Sequence, residues 1–188
     1  MRVPFKGRSF TLNEEPEGRF MQVSDLVDML EQYRNASVAS PPQTVQQDYE
    51  QAAQAVPSSH LADALTEAFR SKETPPFGQM LSNLFAKSTP DQRAGILNQL
   101  LSAVGPAALG AGSLGSLAGM LRGSSTKVTP EQAKQVSPDA VQQLAEHAEK
   151  QNPSIIDQAG QFYSQHPKLV QALGAGSLAL IMSHLSKR

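Results

Sequence analysis

The sequence predicts an all-α protein: a compact multi-helix bundle of short, proline-initiated helices preceded by a smaller N-terminal region. Three observations carry this. The chain holds 23 Ala, 20 Leu and 19 Gln against 11 Val and 4 Ile; the abundant residues keep their rotamer freedom in a helix, which β-branched residues lose. Apolar residues recur at i, i+3, i+4 and i+7 in segment after segment. After residue 88, five prolines directly follow Thr, Ser, Asn or His, where a helix can begin and the missing N–H costs nothing.

Taken in order, residues 1–23 carry Phe5, Phe10, Leu12, Phe20 and Met21 around the turn-forming Asn13-Glu-Glu-Pro-Glu-Gly18. They read as a short β-hairpin or, equally, as an irregular arm on the bundle. From Ser24, a potential cap, Leu26, Val27, Met29, Leu30 and Tyr33 fall at helical spacing. Asn35 to Pro42 has the composition of a linker. Thr44-x-x-Gln47 has the form of a capping box opening a helix with Val45, Tyr49, Ala52, Ala53 and Val56 on one side. Pro57-Ser-Ser59 breaks that helix and starts another through Leu61, Ala64, Leu65, Ala68 and Phe69, which Thr74-Pro-Pro76 ends. Phe77, Met80, Leu81, Leu84 and Phe85 define the next.

Beyond Thr89 one device repeats. Thr89-Pro-Asp-Gln92 and Thr129-Pro-Glu-Gln132 each place a cap, a proline, an acid at the positive helix end and a Gln three residues after the cap. Ser137-Pro, Asn152-Pro and His166-Pro read as three further starts. These signals predict helices near 90–104, 106–121, 130–136, 138–151, 153–165 and 167–186. The expected core is Leu81, Leu84, Phe85, Ile96, Leu97, Leu100, Leu101, Leu117, Leu144, Ile155, Phe162, Leu169, Leu173 and Ile181. A division into an N-terminal region, 1–76, and a helical domain, 77–188, matches a charge asymmetry of −4 against +3. Opposite signs favour packing of the two parts.

Several functions are argued against. With 16 basic and 17 acidic residues, the chain lacks the basic face that nucleic acid requires, so no nucleic-acid partner is expected. The absence of cysteine removes thiol nucleophiles, disulfides and nearly all structural zinc sites. Four scattered histidines show neither metal-ligand spacing nor a nucleophilic arrangement; Glu146-His-Ala-Glu149 reads as a solvated helix face. No catalytic residues, metal ligands or cofactor are therefore expected.

Gly110-Ala-Gly-Ser-Leu-Gly115 is a literal G-x-G-x-x-G, but no β-branched run precedes it as a dinucleotide site needs. The heptapeptide Ala-Leu-Gly-Ala-Gly-Ser-Leu occurs twice, at 108–114 and 172–178. On a helix, Ala108, Gly112, Gly115 and Gly119 share a face, as do Ala172, Gly176 and Ala179. These seven are the expected helix-packing and interaction residues.

Phe77-Gly-Gln-Met-Leu-Ser-Asn-Leu-Phe85, the Gly/Leu-rich middle and Val136-Ser-Pro-Asp-Ala-Val-Gln-Gln-Leu144 resemble the YidB-like bacterial proteins. These are small helical proteins of unassigned function, and the likeness spans at most residues 77–165. It implies a bacterial, all-helical, non-catalytic module and carries over no site residues. The expected function is a non-enzymatic interaction or assembly protein, binding itself or another protein. The chain's start has no apolar signal segment, which with the absence of cysteine points to the cytoplasm. The alternative is a membrane-associated protein using the charge-poor stretches 105–121 and 169–185, with a membrane surface as partner.

Overall fold

The computed structural model describes residues 23–35, 39–104, 119 and 127–187. Among these the chain is helical without strands: α1 (Val23–Glu31), α2 (Val45–Ala55), α3 (Ser58–Arg70), α4 (Phe77–Lys87), α5 (Pro90–Val104), α6 (Pro130–Ala133), α7 (Pro138–Gln151), α8 (Ile155–Ser164), α9 (Pro167–Val170), a 3-10 turn (Gln171–Leu173) and α10 (Ala175–Leu185). The hairpin expected within residues 1–23, the helix expected at 106–121 and Leu117 lie outside the described residues. Val23 already belongs to α1.

The proline starts are built as their chemistry requires. Thr129 closes a full capping box with Gln132, and the Ser137 hydroxyl accepts from the Ala140 N–H at 3.2 Å. At Thr89 the backbone N–H donates to Gln92 Oε1 at 2.9 Å. Thr44 departs from the expected box. Its backbone is helical and its side chain caps nothing; the hydroxyl donates to Asp48 Oδ2 at 2.8 Å instead. Asp48 also accepts from the Tyr33 hydroxyl, tying the turn after α1 to α2. At Asn152-Pro153 the Asn side chain takes the Ser154 N–H at 3.2 Å, so the helix begins only at Ile155.

The helix expected over 167–186 is divided. Gly174 takes φ +86°, a left-handed conformation suited to glycine, and separates α9 and its 3-10 turn from α10. The helix expected at 130–136 closes at Ala133 and continues as a turn.

The main packing pairs are α3 on α8, α4 on α7 and α10 on α3, with α5 bridging α6, α7 and α8. A single hydrophobic cluster runs from Tyr33 through the helices to Leu185, so the expected boundary at 76/77 does not divide the core. Leu81, Leu84, Phe85, Ile96, Leu97, Leu100, Leu144, Ile155 and Ile181 are buried as expected. Leu101, Phe162, Leu169 and Leu173 are half-buried, and Tyr163 takes the interior place beside Phe162. Burial holds the phenols of Tyr33, Tyr49 and Tyr163 above the usual range, so they stay neutral and serve as packing rings.

The bundle is built around α10. Leu178, Ala179, Leu180, Ile181, Met182 and Leu185 are buried together with Ser177 and Ser183, and α3, α2 and α1 pack against it. A helix apolar on all sides is an enclosed helix.

Candidate functional site

Helices approach most closely where glycine removes a side chain. A Cβ at Gly78 on α4 would lie 2.7 Å from Glu146 Cγ and 2.9 Å from the Gln142 carbonyl oxygen of α7. At Gly160 on α8 it would meet Thr66 Oγ1 at 2.5 Å and the Ala62 carbonyl oxygen of α3 at 2.8 Å. Small-residue packing is therefore present in the fold, at positions other than the expected ones. Gly78 and Gly160 carry no repeat and no small-xxx-small spacing of glycines. Their signal is local: each interrupts an otherwise apolar-periodic helix, where glycine costs about 1 kcal/mol relative to Ala unless something compensates.

The seven expected packing residues have different settings. Ala108, Gly112 and Gly115 lie outside the described residues. Gly119 is exposed, with open space where a Cβ would stand. Ala172 lies half-buried in the 3-10 turn and Gly176 half-buried in the first turn of α10, while Ala179 is fully buried. The break at Gly174 places Ala172 on a different element from Gly176 and Ala179, so these three do not form one helical face. The second copy of the glycine motif follows a short helix and a 3-10 turn, whereas a dinucleotide fold would have a strand there.

Polar side chains hold the helices in register. Arg70 on α3 makes a bidentate pair with Asp157 on α8, both contacts at 2.9 Å. Arg93 on α5 donates to the carbonyls of Phe85 at 3.0 Å and Ala86 at 2.9 Å, groups that a helix end leaves without an intrahelical partner. The Asn98 amide clamps the backbone of Val128, accepting from its N–H at 2.7 Å and donating to its carbonyl at 3.1 Å. Phe162 passes over Gly95, where a Cβ would come within 3.1 Å of the ring. It also packs against His166 with ring centroids 4.8 Å apart.

A cavity between α4, α5 and α8, lined mainly by Leu81, Ile96, Leu100 and Ile155, measures about 10 Å³. That accommodates one water molecule at most. Among the described residues no group of three His, Asp or Glu side chains converges to hold a metal ion. His60 is exposed, and His147, His166 and His184 are half-buried.

The surface has one apolar feature of note. Phe162, Leu169, Ala172, Leu173 and Ala175 pack against the core yet stay half-exposed. The whole run 171–176 is of this kind. Among the described residues no helix is long and apolar enough to cross a membrane, and the apolar side chains of the charge-poor 175–185 stretch are spent on the core. No protein-family model matches this chain, and no curated protein or solved structure matches it either.

Proposed function

We propose that this chain is a non-enzymatic helical assembly module that associates with itself through the apolar strip spanning α8 to the start of α10. The observation that carries the reading is the strip itself. Phe162, Leu169 and Leu173 are half-buried in a bundle whose other large apolar side chains are, with Val27, Leu26, Met29, Leu30, Val56, Leu101 and Val104 apart, fully enclosed among the described residues. Glycine-mediated contacts and the Arg70–Asp157 and Asn98–Val128 clamps support a rigid presentation of that surface. Association would then require little ordering of the chain, which lowers its entropic cost. The resemblance to YidB-like proteins agrees with a non-catalytic module.

Light scattering across a concentration series tests the reading. The apparent mass is expected to rise above the 20.1 kDa of one chain, and Leu173→Lys to return it to the monomer while the helical circular-dichroism signal persists. A monomer at every concentration rejects self-association.

A further inference from the structure

Gln92 sits in the first turn of α5, where its side chain works on two sides at once. Its Oε1 accepts the Thr89 backbone N–H at 2.9 Å. A backbone N–H can only donate, so this contact fixes which end of the amide is oxygen. The Nε2 end therefore faces His166, 3.3 Å from Nδ1. An amide NH₂ can only donate as well, so Nδ1 must be the acceptor and the ring proton must reside on Nε2.

We propose that the corner where α5 meets the α8–α9 junction is an acid-sensitive latch, closed by the Gln92-to-His166 hydrogen bond and opened when His166 takes up a proton. A proton from solvent binds at Nδ1, the ring becomes a cation with two N–H donors, and one of them confronts the Gln92 NH₂. The hydrogen bond is then lost. Gln92 cannot turn its oxygen to the ring without abandoning the cap at Thr89. Because His166 is half-buried and packs on Phe162, which itself rests over Gly95 of α5, the loss loosens α5 from this corner. The sign follows: the latch contributes stability above the imidazole range and loses it as pH falls through that range.

No neighbouring charge takes over the role of Gln92. Lys87 on α4, Asp91 on α5, Lys168 on α9 and Glu50 on α2 are exposed. Asp48 on α2 is engaged by Tyr33 and Thr44, Asp157 on α8 by Arg70, and Arg93 on α5 by the carbonyls ending α4. His166 forms no ion pair among the described residues.

Three full-length chains decide the matter: wild type, Gln92→Glu and His166→Asn. Glu in that position keeps the cap, since a carboxylate accepts the Thr89 N–H equally well, and its second oxygen accepts from a protonated Nδ1. Asn offers Gln92 an acceptor oxygen that does not titrate in this range. Melting temperatures are compared at about pH 7.5 and about pH 5.5, either side of the ordinary imidazole range. Acidification is expected to lower the wild-type value by about 2–4 °C more than that of either variant, the shift that one hydrogen bond represents in a chain of this size. Equal acid sensitivity in wild type and Gln92→Glu overturns the proposal, and that comparison stands even if His166→Asn folds poorly. Long-range proton–nitrogen NMR of the wild type provides a second reading. At neutral pH the His166 Nδ1 is expected as the unprotonated nitrogen, and a proton found there overturns the latch.

Discussion

Gly160→Ala is expected to destabilise the protein by about 1–3 kcal/mol, lowering the melting temperature by roughly 3–10 °C for a chain of this length. The direction opposes helix propensity. Replacing glycine by alanine inside an exposed helix stabilises it by about 1 kcal/mol. Here the new methyl would stand 2.5 Å from Thr66 Oγ1 and 2.8 Å from the Ala62 carbonyl oxygen. A threonine rotamer can relieve the first contact, but only a movement of α3 away from α8 relieves the second. That movement would also lengthen the Arg70–Asp157 pair, which joins the same two helices. Gly119→Ala is the control, since nothing lies within 4 Å of a Cβ at that position; thermal melts should show it neutral or slightly stabilised. Adding Thr66→Ala to Gly160→Ala should recover part of the loss, leaving the contribution of the backbone contact with Ala62. If Gly160→Ala melts at or above the wild-type temperature, α3 and α8 do not approach as closely as described.

That pair of glycines also shows where sequence reasoning succeeds and where it stops. Helix starts were readable because capping is local: Thr129, Pro130 and Gln132 hold their own geometry within four residues. Thr44 misled because its box competed with a better partner, Asp48, which Tyr33 reaches from an earlier turn. The repeated Ala-Leu-Gly-Ala-Gly-Ser-Leu drew attention as a pattern, yet its second copy bends at Gly174 and does not form a continuous face. Which glycine lies under a neighbouring helix depends on how the helices cross, and a single sequence contains no crossing angle. The burial of Tyr163 in preference to Phe162 has the same origin. Both rings sit at the α3–α8–α9 side of the bundle, and the position on the helix, not the polarity of the hydroxyl, decides which one points inward.

Ile181→Ala is expected to have the larger effect of the two, about 2–5 kcal/mol, or a fall in melting temperature on the order of 10 °C. Ile181 is fully buried at the middle of α10, the helix that α1, α2 and α3 enclose. Removing three carbons there leaves a void that three separately anchored helices cannot all close. Urea or thermal unfolding followed by circular dichroism measures the loss, and Val27→Ala supplies the comparison. Val27 is 47% exposed, and a surface truncation of that kind usually changes stability by no more than about 0.5 kcal/mol. The experiment also separates the two readings of the uncharged stretch from Leu169 to Leu185. A segment reserved for lipid would lie outside the folded core in water, so Ile181→Ala would leave the aqueous melt unchanged and weaken flotation with vesicles. A segment that forms the centre of the bundle gives the opposite result, a large loss of stability in buffer alone. The enclosure of Leu178, Ile181 and Met182 on every side of α10 supports the second. Lipid contact through these residues would require the bundle to open, at a cost that includes the burial of each of them.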